Sequence, residues 1–245
     1  MKLPAALLGR FLQIRSQFLR DIVTLISGST LSRVLAFAAL PFLSRIYTPA
    51  EFGVLALFTL VYVVVASVAN GCYEVAVVLP DQDRDAVHLV VAAIVITTGT
   101  SVLMAVALWF WSADLAAFVG EDQLIFWLPF TPFIVWVVSV TKIINYWVLR
   151  KQQFIFIGAS EALGTSVNIS TQFGLHFAFR LGAGGLILGQ IAYQLSRLII
   201  LGYAASRSIV WADVRSFQSS RAIQLLKRYK NFPRFDVWST LLNVV

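Results

Sequence analysis

A column of polar residues lies at helical spacing inside an apolar part of the chain. Glu161, Thr165, Asn168 and Gln172 are separated by four, three and four residues, and His176 continues the column. That spacing places them on one face of a helix. Glu161 is the only Asp, Glu, Lys or Arg residue in the stretch 155–178. A carboxylate and two amides on one face of an apolar helix are typical of a helix that turns a polar face away from lipid.

Cationic residues interrupt three other apolar stretches. Arg33 lies near the middle of one, Lys142 lies near the end of another, and Arg197 follows Gln194 on one face of a third. If these faces converge, they form a polar cavity with three cations and one anion, which suits a large polar anionic cargo. The predicted cavity residues are Arg33, Lys142, Glu161, Asn168, Gln172, Gln194 and Arg197.

Structural roles for the same residues stay open. Glu161 and Arg197 lie at similar depth and could form an ion pair with no further role. Lys142 is close enough to one end of its stretch to extend its ammonium group to the interface. Arg33 is too central for that. The hydroxyl and amide side chains could serve as hydrogen bonds between helices.

The composition shows what kind of helices carry these residues. The chain is 59% hydrophobic and only 13% charged. A soluble domain has about twice that charge, so much of this surface must face lipid. Each long apolar segment exceeds the ~20 residues that cross a hydrocarbon core, so we predict an all-α membrane protein. The six predicted spans are 22–44, 52–72, 87–111, 124–148, 155–178 and 183–205.

The distribution of Lys and Arg predicts the orientation. With the N-terminus in the cytoplasm, fourteen of these residues lie on the cytoplasmic side and only Arg45 and Arg180 lie outside. Such an asymmetry predicts a multi-pass protein with a cytoplasmic N-terminus. We expect four regions: a basic segment at 1–20, a six-helix lobe at 21–206, a basic cytoplasmic segment at 207–236, and the start of a seventh helix at 237–245.

Motifs for catalysis or cofactor binding are missing from the sequence. There is no Walker A loop, H-E-x-x-H or G-x-S-x-G, and the single cysteine and two histidines predict no metal site. We therefore predict no enzyme and no cofactor. The net charge of +7 does not indicate nucleic-acid binding, because the cations lie between apolar stretches. Gly185 and Gly189 predict close helix packing, and Pro129 and Pro132 predict a kink in the fourth span.

Four sequence motifs carry a family resemblance. They are L-S-R-I-Y-T-P-A-E-F-G-V-L-A-L at 43–57, Y-E-V-A-V-V-L-P at 73–80, G-G-L-I-L-G at 184–189 and Y-K-N-F-P-R-F at 229–235. With these motifs in this order, the chain resembles the polysaccharide biosynthesis (Wzx-type, O-antigen) flippases. These belong to the multidrug/oligosaccharidyl-lipid/polysaccharide exporter superfamily. The first two motifs are the more specific.

The resemblance implies a function and its partners. Family members move undecaprenyl-diphosphate-linked oligosaccharide across the bacterial cytoplasmic (inner) membrane, without catalysis, through a cationic cavity between two six-helix lobes. It implies a proton or sodium gradient as a candidate energy source, and a polysaccharide polymerase and glycosyltransferases as neighbours. The family's length is roughly twice that of this chain, so we expect a truncated N-terminal lobe. The seven cavity residues come from periodicity, not from the family pattern.

Other functions remain alternatives. A drug or cation antiporter of the same superfamily should have a net anionic cavity. A membrane enzyme acting on lipid-linked glycans needs a large outer loop with acid and base residues, and the predicted outer loop 112–123 is short. A non-transporting subunit of a glycan-assembly complex is a third alternative.

Overall fold

The computed structural model describes residues 27–119, 126–210, 214–215, 217–230, 232–236 and residue 239. Every regular element in these residues is helical, which confirms the all-α prediction for the described part of the chain. The predicted basic segment 1–20 lies outside the described residues. So does the predicted start of a seventh span at 237–245, apart from Ser239.

The described residues form eight α-helices, a 3₁₀ turn and a π-helical turn. They are α1 (27–46), α2 (Pro49–Val68), α3 (Tyr73–Ala76), α4 (Asp83–Val119), the 3₁₀ turn Leu128–Phe130, α5 (Thr131–Arg150), α6 (Phe154–Phe179), α7 (Ala183–Ser208), α8 (Ser219–Arg228) and the π-helical turn Phe232–Asp236.

Local sequence explains where α2 and α5 begin. Thr48 and Glu51 form a capping box, in which the Thr48 hydroxyl accepts from the Glu51 N–H and the Glu51 carboxylate accepts from the Thr48 N–H. Pro49 is the first residue of α2. Pro129 and Pro132 lie in the 3₁₀ turn and the first turn of α5. Prolines at a helix start remove no intrahelical hydrogen bond, so they interrupt none within α5, and the kink in the fourth span stays a prediction.

Ion pairs gather three connections at one end of the bundle. Asp83, at the start of α4, pairs with Arg150 at 3.1 Å and also with Lys151, at the end of α5. Asp85 pairs with Arg221 of α8 at 2.8 Å. The α3–α4, α5–α6 and α7–α8 connections therefore share this end, which we call the Asp83 end.

The remaining connections meet at the opposite end, the Tyr47 end. The Tyr47 hydroxyl lies against Gly185, in the first turn of α7, and the Glu51 carboxylate lies against Gly182. Trp127, before α5, packs on Gly184. Consecutive long helices therefore run in alternating directions, and α6 crosses the same thickness as its neighbours.

The centre of the bundle is formed by α5 and α7. α5 packs against α2, α4 and α7, and α7 packs against α2, α5 and α6. The largest side chains of this core include Phe58 and Tyr62 from α2, Ile134 from α5 and Ile187 from α7. α4 and α1 lie at the edges, with α1 against α6.

Four of the described helices are long and apolar enough to cross a membrane: α2, the Asp83–Trp111 part of α4, Leu128–Arg150 and α7. Large apolar side chains on the outside, such as Trp109 at 85% and Leu103 at 71% exposure, suit a lipid environment. The other two predicted spans, 22–44 and 155–178, do not reach this hydropathy within the described residues. Polar residues lower it in α6, and 22–26 lie outside the described residues.

Candidate functional site

The polar column of α6 faces α1. The Ser29 hydroxyl donates a 2.5 Å hydrogen bond to Oε2 of Glu161, and the Ser32 and Thr165 hydroxyls are 2.6 Å apart. The Ser29 and Ser32 positions are three residues apart, and those of Glu161 and Thr165 are four apart, so each pair lies on one helix face. The predicted polar face of α6 is thus an interface between helices along this part.

Arg197 of α7 approaches the same carboxylate from the other side. Its Nη2 lies 3.9 Å from Oε1 of Glu161, with side-chain exposures of 19% and 28% for Arg197 and Glu161. The guanidinium also lies over the Tyr193 ring, 5.5 Å from its centroid. Nε of Arg197 is buried and has no hydrogen-bond partner among the described residues. We name Ser29, Ser32, Glu161, Thr165 and Arg197 the Glu161 cluster.

A glycine on α6 makes this approach possible. A Cβ added to Gly164 would lie 3.0 Å from the Tyr193 ring and 3.1 Å from Cγ of Arg197. Such contacts are tighter than ordinary van der Waals packing. Gly164 therefore lets α7 bring Arg197 toward Glu161.

Asn168 and Gln172 continue the polar column toward the Tyr47 end. Both pack on Gly189 of α7, where an added Cβ would lie 2.5 Å from Cγ of Gln172 and 2.7 Å from Oδ1 of Asn168. That oxygen of Asn168 is buried without a hydrogen-bond partner among the described residues. The close packing predicted for Gly185 and Gly189 is confirmed.

Gln194 reaches a different neighbouring helix from Arg197. It is buried and within reach of the Tyr62 hydroxyl on α2. One turn earlier, Nε2 of Gln190 donates to the same hydroxyl at 2.8 Å. Gln194 therefore belongs to the α2–α7 interface and not to the Glu161 cluster.

Lys142 also lies apart from that cluster. It is half-buried on α5, on the side of the Asp83 end, near the carboxylate of Glu74. Glu74 is only 6% exposed, and its Oε2 has no hydrogen-bond partner in the described residues. Burial raises the pKa of the Glu74 carboxyl, while Lys142 acts in the opposite direction. The sequence analysis missed Glu74 because it follows α2 at the edge of a span.

Arg33 lies apart from both the Glu161 cluster and Lys142. Its side chain is exposed on α1 and forms no ion pair with any residue that the structure describes. The predicted site thus divides into the Glu161 cluster with Asn168 and Gln172, Lys142 near Glu74, Gln194 at α2, and Arg33. Arg197 and Lys142 are partly buried, beside Glu161 and near Glu74, whereas Arg33 is exposed, so the three predicted cations do not converge among the described residues.

The Tyr47 end contains contacts of Tyr47 with Gln172 and His176 that the sequence analysis did not single out. The Tyr47 hydroxyl donates a 2.7 Å hydrogen bond to the backbone oxygen of Gln172, and the Tyr47 ring packs edge-on against His176 with centroids 5.0 Å apart. Tyr47 is only 3% exposed. The motif containing Tyr47 therefore ties the α1–α2 connection to α6 and α7. Its family likeness was the only sequence signal for this role.

Groups that could hold a metal ion are not formed by the described residues. No three His, Cys, Asp or Glu side chains come together within the ranges given above. The Glu161 cluster offers one carboxylate, hydroxyls and a guanidinium. These groups can bind polar or charged groups through hydrogen bonds and ion pairing.

Comparisons with known proteins place this geometry in a family. Searches of curated proteins and of solved structures found no match. A sequence model described as "Polysaccharide biosynthesis protein" matches residues 42–225, which is most of the chain. The match begins at residue 42, directly before the motif that contains Tyr47, and ends in α8, so it includes the polar column of α6. With its apolar helices, the chain is a membrane protein, and it belongs to the polysaccharide biosynthesis protein family.

Proposed function

We propose that the chain is a flippase, or one lobe of a flippase, for undecaprenyl-diphosphate-linked oligosaccharide in the synthesis of O-antigen or exopolysaccharide. The family match supports a role in polysaccharide biosynthesis. The transport step itself is inferred from the charged and polar side chains within the helical bundle. In this proposal the protein is not an enzyme: it moves a finished lipid-linked glycan.

The exposed guanidinium of Arg33 carries the proposal. It lies on the outer face of α1, near the middle of the predicted span 22–44. A charge at that depth is expensive against hydrocarbon and normally faces a water-filled cavity or another part of the protein. A second six-helix lobe opposite α1 would enclose this face, as in transporters whose site lies between two repeats.

The chemistry of the cargo fits such a cavity. A diphosphate is a dense anion that arginine binds through charge-assisted hydrogen bonds. Arg33 is unpaired among the described acidic residues, whereas Arg197 shares the Glu161 carboxylate. We therefore assign the diphosphate contact first to Arg33. The lipid tail would stay in the bilayer while the glycan crosses through the cavity.

The membrane arrangement is part of the proposal. We propose six membrane-crossing helices, α1, α2, α4, α5, α6 and α7, with the Asp83 end on the cytoplasmic side of the bacterial inner membrane and the N-terminus on that side. The alternating helix directions support six crossings, since α6 runs between the same two ends as the four apolar helices. The excess of Lys and Arg at the Asp83 end supports the orientation.

The energy source and the neighbouring proteins also belong to the proposal. A proton or sodium gradient would drive transport. Glycosyltransferases would supply the lipid-linked glycan on the cytoplasmic side, and a polymerase would use it on the other side.

Deletion of the gene in its host tests the proposal. A flippase deletion should leave lipid-linked oligosaccharide of normal structure in the membrane, unreactive to an impermeant periodate reagent added to spheroplasts. Surface polysaccharide should be lost and restored by a plasmid copy. An altered or incomplete glycan would indicate an enzyme, and an unchanged periodate-reactive fraction would contradict transport. Loss of dye efflux with normal surface glycan would instead indicate the drug antiporter.

A further inference from the structure

α8 is held firmly against the rest of the protein. Its Arg221 forms a two-point contact with Asp85, from Nε to Oδ1 at 3.0 Å and from Nη2 to Oδ2 at 2.8 Å. The carboxylate raises the pKa of the Arg221 guanidinium. The backbone N–H of Gln218 donates to Nε2 of His88 at 3.2 Å, and Ala222 and Leu225 are buried. The orientation of α8 is thereby fixed at several points.

The position of α8 along α4 places it beside the membrane surface. Its contacts on α4, Asp85 and His88, flank the point where the apolar run of that helix starts at Ala86. Further along, α4 exposes large apolar side chains such as Val95, Val102 and Leu103, so it is a lipid-facing edge helix. A helix fixed at the water-side end of such an edge lies at the level of the lipid headgroups.

The outward side of α8 has the composition of an interfacial helix. Ile223 of α8 is 51% exposed, and Lys227, in the last turn of α8, and Lys230, in the turn directly after it, are also exposed. We call these three residues the α8 outer face. Arg215 and Arg228 add positive charge, and no Asp or Glu occurs anywhere from 214 to 230. An exposed apolar side chain followed by lysines is typical of a segment that inserts at the boundary of headgroups and acyl chains.

We propose that the α8 outer face binds the anionic phospholipid headgroups of the adjoining leaflet. Lys227 and Lys230 attract the phosphates, and Ile223 packs among the upper acyl carbons. Anionic leaflets attract basic segments at a membrane surface through such charges, and the attraction weakens as salt is added. The inference is independent of the transported cargo.

A fluorescent label on α8 in the full chain tests this surface. Gln224, exposed beside Ile223, is replaced by cysteine in a Cys72→Ser background and labelled with an environment-sensitive dye. The protein is reconstituted in vesicles of phosphatidylcholine alone or with phosphatidylglycerol. We expect a blue shift of the emission in the anionic vesicles that decreases as sodium chloride is added. Identical spectra in both vesicles would overturn the proposal.

Two variants that lose the same charge at different places distinguish lipid binding by the α8 outer face from an effect of the protein's total charge. The double variant Lys227→Gln/Lys230→Gln should lose the composition-dependent shift. The control Arg45→Gln/Arg180→Gln removes two exposed cations near the opposite end and should keep it. Equal loss in both variants would contradict a role for α8.

Pyrophosphate distinguishes a lipid surface from a phosphate site. Added to phosphatidylcholine vesicles, pyrophosphate should leave the emission unchanged if α8 binds a charged leaflet. A saturable shift there, abolished by Lys227→Gln/Lys230→Gln, would identify a discrete phosphate site and overturn the lipid assignment.

Discussion

Nη2 of Arg197 lies 3.9 Å from Oε1 of Glu161, while the other oxygen of that carboxylate accepts a hydrogen bond from Ser29. One carboxylate therefore joins three helices, α1, α6 and α7. This geometry gives Glu161 contacts to two other helices, and its 3.9 Å distance from Arg197 is at the long end for an ion pair. The two roles considered for the pair, structural and cargo-binding, can be separated by mutation.

The Glu161–Arg197 pair should show coupling in a double-mutant cycle. Glu161→Gln leaves the guanidinium without its carboxylate, and Arg197→Gln leaves the carboxylate without its cation. The losses of stability in the two single variants should add up to more than the loss in the double variant. Because both side chains are mostly but not fully buried, we expect a coupling free energy of about 1–3 kcal/mol, between values for exposed and buried pairs. Thermal unfolding of purified protein in detergent measures it, and strict additivity would argue against the pair.

Gly189→Ala should push α6 and α7 apart. The new methyl group would overlap Gln172 and Asn168, so a loss of about 1–3 kcal/mol is expected from overpacking. Gly202→Ala is the matched control on the same helix, because an added Cβ there has no atom within 4 Å. The control should be neutral or slightly stabilising, since alanine favours helix. Equal melting temperatures for the two variants would show that the contact at Gly189 is unimportant.

The Tyr47 hydroxyl and the Tyr47 ring should contribute separately to the free energy of unfolding. Tyr47→Phe removes the donor to the Gln172 carbonyl but keeps the contact with His176, so we expect a loss of about 1 kcal/mol. Tyr47→Ala also removes a buried ring and should cost about 3–5 kcal/mol. Tyr203→Phe, on a side chain that is 50% exposed, should have little effect. The expected loss of stability increases from Tyr203→Phe through Tyr47→Phe to Tyr47→Ala, and melting curves in another order would contradict a stabilising role of the Tyr47 contacts.

Arg33→Ala should abolish glycan export while leaving membrane insertion intact. The guanidinium is exposed and pairs with no described carboxylate, so its loss removes charge without breaking an internal contact. Arg33→Lys should retain partial export, because lysine keeps the charge but not the bidentate geometry. Surface polysaccharide and membrane-inserted protein are measured in the complemented deletion strain, with Arg45→Ala as the control. Normal export by Arg33→Ala would contradict the assignment of the diphosphate contact to Arg33.

Periodicity predicted much of the α6 surface correctly. The spacing of Glu161, Thr165, Asn168 and Gln172 requires a shared face on any helix, and the structure shows that face packed on α1 and α7. Helix type and approximate length followed from hydropathy, because a backbone in lipid must satisfy its own hydrogen bonds.

Which polar faces meet was decided only by the tertiary structure. Gln194 and Arg197 are three residues apart on α7, yet they reach different helices, because α7 is central and has a neighbour on each side. Lys142 lies near Glu74 and outside the Glu161 cluster, because Glu161 contacts α1 and α7 whereas Lys142 lies on the part of α5 near α3. Helical periodicity places a residue on a face of its own helix. Only the packing of helices, set by close contacts such as those at Gly164 and Gly189, determines what that face contacts.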